Sequence, residues 1–589
     1  MFETRVSRVF SLFAGALALL AVQAFALQVV RRDELLAKQE ARVHGRFVRA
    51  PRRGEILYAD GTPIASNEPG FSVAVNVDAF FAPRWRCSEC GAVVARAKRP
   101  ETCSESSCRA TDSMTQVPSP DADALARLLG FSKEEFGDHL IRVDQQHVLH
   151  PNFRYHELVK DVDRETAVAL ALAADRFPGV VVRARSARVV DSAAADIVGR
   201  ARDPDERDVK ALTDPSRADP SREDRDRRIY ALPEIYAMRF GKSGLEAAFD
   251  ARLRGEPGMA RRDGKSREPV TVRPVVDGEP LVTTLRRDVQ AVAEDVVRDA
   301  PGSAAAVVVD LEGGGVVALA SKSNDGLEHA VTAIRPGSVF KLATALALLE
   351  SGVSPEETVH CAGSGRLPGG RSYVCDGVHG DVAFAEAFAH SCNGYFATMA
   401  ERVGPEAMLR ACRELGLDVN PQLHMKGTPA GLDPFWGHGS VWRPDDMAMV
   451  GIGQGKALVS LLQVAVAYGR VATGGRRLVP YLVDADRPAT TDVDPSIARF
   501  APCMRDAARR VVTSGTGKFI REFDALEAAG KSGTGDVSAR VKSNNAWFVA
   551  FAPASNPRFV AAVVFEAVPE HGTDRAARPV ARLLAEALK

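Results

Sequence analysis

Neither sign of charge prevails in this 589-residue chain: 76 lysines and arginines face 76 aspartates and glutamates, for a formal net charge of zero. No basic block dominates, so the electrostatic footprint of a nucleic-acid-binding protein is missing. Histidine is scarce, at 12 residues, which leaves few alternatives to lysine as a catalytic base. Lysine follows serine by three positions only once, at Ser338-Val-Phe-Lys341. What the chain does have is length. It exceeds a single ordinary hydrophobic core, so two or more folded modules are expected.

The Ser338 string sits where a serine nucleophile belongs. Pro336-Gly337 breaks the preceding loop, and Lys341 to Glu350 reads as an apolar helix, so Ser338 falls in the first helical turn with Lys341 one turn on. A serine hydroxyl attacks well only when a neighbouring base takes its proton. A lysine amine can be that base if desolvation or a nearby cation lowers its pKa. The free N–H groups of the helix N-terminus suit a developing oxyanion. The bland alternative is a serine cap with Lys341 on a solvated face. Two further strings weigh against it. Ser391-Cys-Asn393 lies between helical stretches at Ala383–His390 and Tyr395–Arg402, where a loop can present a hydroxyl and an amide to one cleft. Lys531-Ser-Gly-Thr534 opens a segment with strand character, and Gly533 allows a ligand close to the backbone.

In this order the three strings resemble the S-x-x-K, S-x-N and K-T/S-G set of penicillin-binding transpeptidases and serine β-lactamases. Arg53-Gly-Glu-Ile-Leu-Tyr-Ala-Asp-Gly-Thr-Pro-Ile-Ala is similar to the R-G-x-I-x-D-R-x-G-x-x-L-A signature of class B penicillin-binding proteins, with Tyr58-Ala59-Asp60 in place of the usual Asp-Arg pair. Gly241-Lys-Ser-Gly-Leu-Glu246 with Leu253-Arg-Gly255 resembles the same family's N-terminal module, and Gly453-Gln-Gly455, Gly515-Thr-Gly517 and Ala546-Trp-Phe548 also match. The resemblance runs from about residue 46 to the C-terminus, apart from two insertions. It implies a mixed α/β chain: a transmembrane helix, an α+β pedestal (dimerisation-like) domain, and a C-terminal penicillin-binding/β-lactamase-like transpeptidase domain with an antiparallel sheet flanked by helices.

The implied activity is D,D-transpeptidation of peptidoglycan stem peptides, with no cofactor for catalysis. By the resemblance Ser338 is the nucleophile and Lys341 the base. Ser391 and Lys531 relay a proton to the leaving amine, and Asn393 holds the substrate amide. Ser532, Gly533 and Thr534, with Lys531, face the terminal carboxylate, while the N–H groups of Ser338 and Thr534 form the oxyanion hole. β-Lactams are expected to acylate Ser338. A D,D-carboxypeptidase or β-lactamase uses the same strings but passes the acyl group to water. A scaffolding role in cell elongation or division is the alternative from a different class.

Residues 9–30 carry no formal charge, and roughly 20 apolar residues span a bilayer core. Ala24-Phe-Ala26 looks like a cleavage site, but the run exceeds the usual signal core of about 7–15 residues. An uncleaved single-pass anchor in the cytoplasmic membrane is therefore expected, its flanking arginines leaving orientation open. The resemblance puts the catalytic domain on the periplasmic (extracytoplasmic) side. The expected organisation is 1–31 tail and anchor, 32–278 pedestal, and 279–589 transpeptidase domain. The pedestal contains a cysteine-rich insert over 83–118. It also contains a stretch over 200–228 rich in Arg, Asp, Glu and Pro, read as a solvated loop. Expected partners are stem peptides, lipid-linked precursors, the bilayer, and a membrane-embedded glycosyltransferase.

Seven of the nine cysteines fall into two clusters. Cys361, Cys375, His379 and Cys392 surround the S-x-N loop and form a plausible tetrahedral zinc set. A similar cluster occurs in elongation-type class B transpeptidases, and with the His379-Gly380 string it points to that type. A Cys361–Cys375 disulfide is the alternative in an oxidising compartment. Cys87 and Cys90, with Cys103 and Cys108, are spaced like a zinc ribbon, or form two disulfides. Cys412 and Cys503 read as small buried hydrophobes.

Overall fold

The computed structural model describes residues 46–589 except for short breaks between 78 and 121, position 178, and the segments 150–154, 205–206, 209–237, 262–269, 324–327, 420–422, 424–442, 489–491 and 539–542. The apolar run at 9–30 lies outside the described residues. Among those described, no helix is long and apolar enough to cross a membrane.

Strands β1 (Ile56–Leu57) and β2 (Pro63–Val75) pair antiparallel across a tight turn. Asp60 Oδ1 accepts from the Thr62 N–H at 2.9 Å and Gly61 takes a left-handed φ of 81°, which explains the Asp-Gly at this point. The chain then enters the cysteine-rich insert, a separate sheet of β3 (Arg84–Cys87), β4 (Val93–Ala95) and β5 (Met114–Val117) in the order β4–β3–β5. Helices α1 (Ala122–Leu128) and α2 (Lys133–Leu149) lead back to β6 (His156–Val162). Helix α3 (Arg164–Leu172) is capped by Asp163, which accepts from the Thr166 N–H. The helical pattern continues to Arg176, yet the helix ends at Leu172 and turns through residues 173–177 ahead of Pro178. Strands β7 (Val180–Val190) and β8 (Leu281–Val282) complete a five-stranded sheet, β8–β1–β2–β6 with β7 also on β2. The charged stretch after 200 begins in regular structure: Ala201–Arg202 pairs with Phe240–Gly241.

The two N-terminal signatures meet in a buried ion triad. Arg53 Nε lies 2.5 Å and Arg188 Nε 2.7 Å from opposite oxygens of Glu246, all three side chains at most 6% exposed. Arg53 also donates to the carbonyls of Arg239 and Glu246. The arginine and glutamate of two distant strings thus share one site, which accounts for both residue types.

The second sheet is five antiparallel strands in the order β10–β9–β17–β16–β15. After helix α4 (Arg287–Arg298) come β9 (Ala304–Asp310) and β10 (Val316–Lys322), a hairpin of almost wholly buried small aliphatics. Helix α5 (Lys341–Glu350) buries nine of its ten residues, as an all-round apolar sequence requires. Two short hairpins follow: β11 (Val359–Cys361) with β14 (Gly380–Val382), and between them β12 (Ser364–Arg366) with β13 (Ser372–Val374). Next are α6 (Phe384–Ala389), α7 (Asn393–Leu415, kinked at Gly404-Pro405), α8 (Leu461–Ala472) and α9 (Pro495–Thr513). Strands β15 (Ala529–Ser538), β16 (Ser543–Ala552) and β17 (Phe559–Val568), then α10 (Gly572–Ala587), close the chain. Helices α4 and α10 touch each other and pack against β9, β10, β16 and β17, while α8 packs against β9, β16 and β17 and α9 against the edge strand β15. Edge strand β15 lies beside the turn that leads into α5.

Candidate active site

Ser338 lies in a 3₁₀ turn, Gly337–Phe340, that runs directly into α5, rather than in the α-helix itself. It is half-buried, while Lys341, whose N–H bonds back to the Ser338 carbonyl, is fully buried. Two glycines bring this turn against β15. Gly337 has φ 57°, and a Cβ there would stand 2.2 Å from the Thr534 carbonyl oxygen. A Cβ on Gly533 would stand 2.7 Å from the Pro336 carbonyl oxygen and 2.9 Å from Val339 Cγ1. Neither position tolerates a side chain without parting the Ser338 turn from the strand.

Ser391 has φ 55°, a left-handed conformation uncommon outside glycine. Its cause is the end of α6. The Ser391 N–H bonds to Phe388 O and the Cys392 N–H to Ala387 O, the paired bonds of a Schellman turn with serine where glycine is usual. Cys392 then caps α7, its Sγ accepting from the Tyr395 N–H at 3.4 Å. The loop is therefore clamped at both ends, and Asn393 is the first residue of the next helix.

Lys341 joins these pieces. Its Nζ donates to Ser391 O and to Asn393 Oδ1, each at 2.7 Å, and lies 3.2 Å from Ser391 Oγ. A neutral amine has two N–H bonds and one lone pair. The two short contacts use the N–H bonds, which leaves the lone pair for a hydroxyl proton. Asn393 is held in turn by donation from its Nδ2 to Val374 O at 2.6 Å. Burial pulls Lys341 down to about 8, against the opposing negative charge of Cys392, Cys375, Asp376 and Cys361. Lys531, also fully buried, is pushed well below the usual lysine range by burial first and the Lys341 charge second. Its Nζ donates to Ser532 O at 3.0 Å.

Ser532 Oγ lies 3.0 Å from Thr516 Oγ1, and Thr534 Oγ1 lies 3.4 Å from both His571 Nδ1 and the Gly572 N–H. Gln454 runs along the outer edge of β15, donating to Thr534 O at 3.0 Å and accepting from the Asp536 N–H at 3.1 Å. In an antiparallel strand the N–H and C=O of one residue point the same way. The Thr534 N–H therefore faces the same open edge as the Ser338 turn. Gln454 and Thr516 belong to strings already singled out by resemblance, without roles. His571 and Asp376 carry no local sequence signal.

The first cysteine cluster lies against this site. Cys361, Cys375, His379 and Cys392 bring one ligand atom each within 4.8 Å of one another. Zinc–sulfur bonds of about 2.3 Å and zinc–nitrogen bonds of about 2.0–2.1 Å set tetrahedron edges of about 3.8 Å between sulfurs and about 3.6 Å from sulfur to nitrogen. Cys361 Sγ lies 3.6 Å from Cys375 Sγ and 3.5 Å from His379 Nδ1, whereas a disulfide needs about 2.05 Å. Hydrogen bonding from the Cys392 thiol, assisted by the N–H groups of Gly394 and Asn393, draws Cys375 below the usual thiol range, while burial opposes this. The donor set fits a tetrahedral metal. Cys412 is buried, as its apolar reading requires, and Cys503 is half-buried.

Residues 304–586 match the penicillin binding protein transpeptidase domain, and residues 48–283 the penicillin-binding protein dimerisation domain. The chain belongs to the penicillin-binding proteins. It is 28% identical over 384 residues to the penicillin-binding protein PbpB of Mycolicibacterium smegmatis, covering 57% of this chain and 58% of that one. It is 26% identical over 407 residues to the peptidoglycan D,D-transpeptidase MrdA of Acinetobacter baumannii, covering 58% and 59%. The match thus spans less than two thirds of the length of these relatives. In fold, this penicillin-binding protein is similar to a penicillin-binding protein (PBP2) solved in complex with MreC from Helicobacter pylori. The TM-score is 0.67 at 18% identity, over 93% of this chain and 99% of that one.

Proposed function

We propose that this penicillin-binding protein is a D,D-transpeptidase that cross-links peptidoglycan stem peptides through an acyl-serine intermediate. What carries the reading is the Lys341 amine. It is fully buried, lowered to about 8, and held by Ser391 and Asn393 one turn after a serine. Ser338 Oγ forms a bond to the carbonyl carbon of the penultimate D-alanine as Lys341 takes its proton. The peptide C–N bond then breaks, and a proton reaches the leaving amine through Ser391 and Lys531. The N–H groups of Ser338 and Thr534 stabilise the oxyanion, Asn393 orients the substrate amide, and Ser532 and Thr534 with Lys531 hold the terminal carboxylate. An amine of a second stem peptide next attacks the ester, forming the cross-link and freeing Ser338.

A zinc ion held by Cys361, Cys375, His379 and Cys392 would supply rigidity rather than chemistry. Cys392 separates Ser391 from Asn393, so a fixed sulfur orients both neighbours. Residues 9–30 anchor the protein in the cytoplasmic membrane, with the catalytic domain outside, where stem peptides are found. The cysteine–histidine cluster and the His379-Gly380 string support a role of the elongation type, beside a membrane-embedded glycosyltransferase that supplies glycan strands. The test is labelling with a fluorescent penicillin. The wild-type protein is expected to form a stable adduct and Ser338→Ala none. An alanine variant that still labels removes Ser338 from its role, and rapid turnover of a chromogenic cephalosporin makes the protein a hydrolase.

A further inference from the structure

The inserted sheet β3–β5 has almost no core of its own. Among its described residues the buried apolar cluster is Cys87 alone, with Trp85, Cys108 and Ala110 packed partly against it. So small a module is ordinarily held by disulfides or a metal. Its cysteines occupy turns. Cys87 ends β3, and Cys90 follows it through a tight turn toward β4. Cys108 lies inside a loop closed by the antiparallel bridge Thr102–Thr111. Two turns at one end of a three-stranded sheet thus bring three thiols together, each within 4.8 Å of the others.

The spacing separates metal from disulfide. Cys87 Sγ and Cys108 Sγ are 3.8 Å apart, nearly twice the length of an S–S bond. It equals the sulfur–sulfur edge of about 3.8 Å set by zinc–sulfur bonds of about 2.3 Å. Soft thiolates at tetrahedral spacing select zinc over hard divalent cations. We propose that Cys87, Cys90 and Cys108 bind a structural zinc ion that stands in for the missing core of the insert. The site is independent of the transpeptidase reading, since none of these residues belongs to the catalytic cleft.

The test is metal analysis of the full-length protein, purified through a tag that binds no metal, beside the Cys87→Ser/Cys90→Ser double variant. The variant is expected to lose one zinc equivalent per chain relative to wild type while still labelling with fluorescent penicillin. Equal zinc in the two proteins overturns the proposal. Should the variant fail to fold, the wild-type protein decides alone. After denaturation without reductant, alkylation followed by peptide mapping is expected to find Cys87, Cys90 and Cys108 all modified. Any of the three recovered in a disulfide overturns the site. Loss of penicillin labelling in Ser338→Ala bears only on the active site and leaves this result untouched.

Discussion

Raising the pH from 7 to 9 is expected to speed acylation of Ser338 about tenfold. The base acts only when neutral, and burial sets Lys341 at about 8. At that value about 9% of the amine is neutral at pH 7 and about 91% at pH 9, whereas an ordinary lysine near 10.4 would be neutral in well under 0.1% of molecules at pH 7. Desolvation therefore enriches the active form a few hundredfold, equivalent to about 3 kcal/mol. The assay is single-turnover labelling with a fluorescent penicillin below saturation, from pH 6.5 to 10.5. A rate flat across this range refutes the assignment of Lys341 as base. A rate still climbing tenfold per pH unit beyond 10 refutes the lowered pKa. The same shift enters stability with a definite sign. The folded-state value is depressed, so between about 8 and 10.5 the unfolded chain holds the extra proton and stability from this group rises with pH. The penalty for burying the charged amine is fully present below pH 8 and is relieved as pH climbs toward the unfolded value.

Two substitutions probe the scaffold. Gly533→Ala forces a methyl to 2.7 Å from the Pro336 carbonyl oxygen and 2.9 Å from Val339 Cγ1. Because the nearer obstacle is backbone, β15 must shift. The expected cost is about 1–3 kcal/mol of stability and about a hundredfold in acylation rate, read by denaturant titration and penicillin labelling. A variant that labels at the wild-type rate would show that this close approach is dispensable. Glu246→Ala leaves Arg53 and Arg188 buried without their shared carboxylate, and is expected to lower stability by about 3–5 kcal/mol. A loss below about 1 kcal/mol in urea unfolding would mean that water or another acid replaces it.

The strings that carry chemistry were legible because their geometry is local. Ser338 and Lys341 are one turn apart whether the turn is 3₁₀ or α, and the β15 lysine, serine and threonine follow strand alternation. Ser391 shows where local reading stops. Glycine is the usual mark of a Schellman turn, so a serine there announces a loop but not its handedness. Gln454, Thr516, His571 and Asp376 meet the site only through tertiary packing, from four separate segments. The Gly404-Pro405 pair reads as a helix stop, yet α7 resumes beyond it to Leu415, because proline is well tolerated in the first turn of a new helical run. Cysteine spacing marked two groups whose described members the fold brings within 4.8 Å of one another.

The site gathers features that each oppose folding: a left-handed serine, two fully buried lysines, and a turn pressed onto strand backbone through glycines. Such groups persist only where their surroundings over-determine them. Here the surroundings are α5, which continues from Lys341 into Leu342, Leu346, Leu348 and Leu349, all buried. Full burial of a leucine contributes about 1.5–3 kcal/mol, so two of these residues offset the cost of dehydrating Lys341. The amine sits at the helix end nearest the cleft, where the apolar helix holds it out of water and the Ser391–Asn393 loop supplies acceptors for its N–H groups. The low pKa that suits Lys341 to the proposed role of base is thus a consequence of the same packing that stabilises the domain.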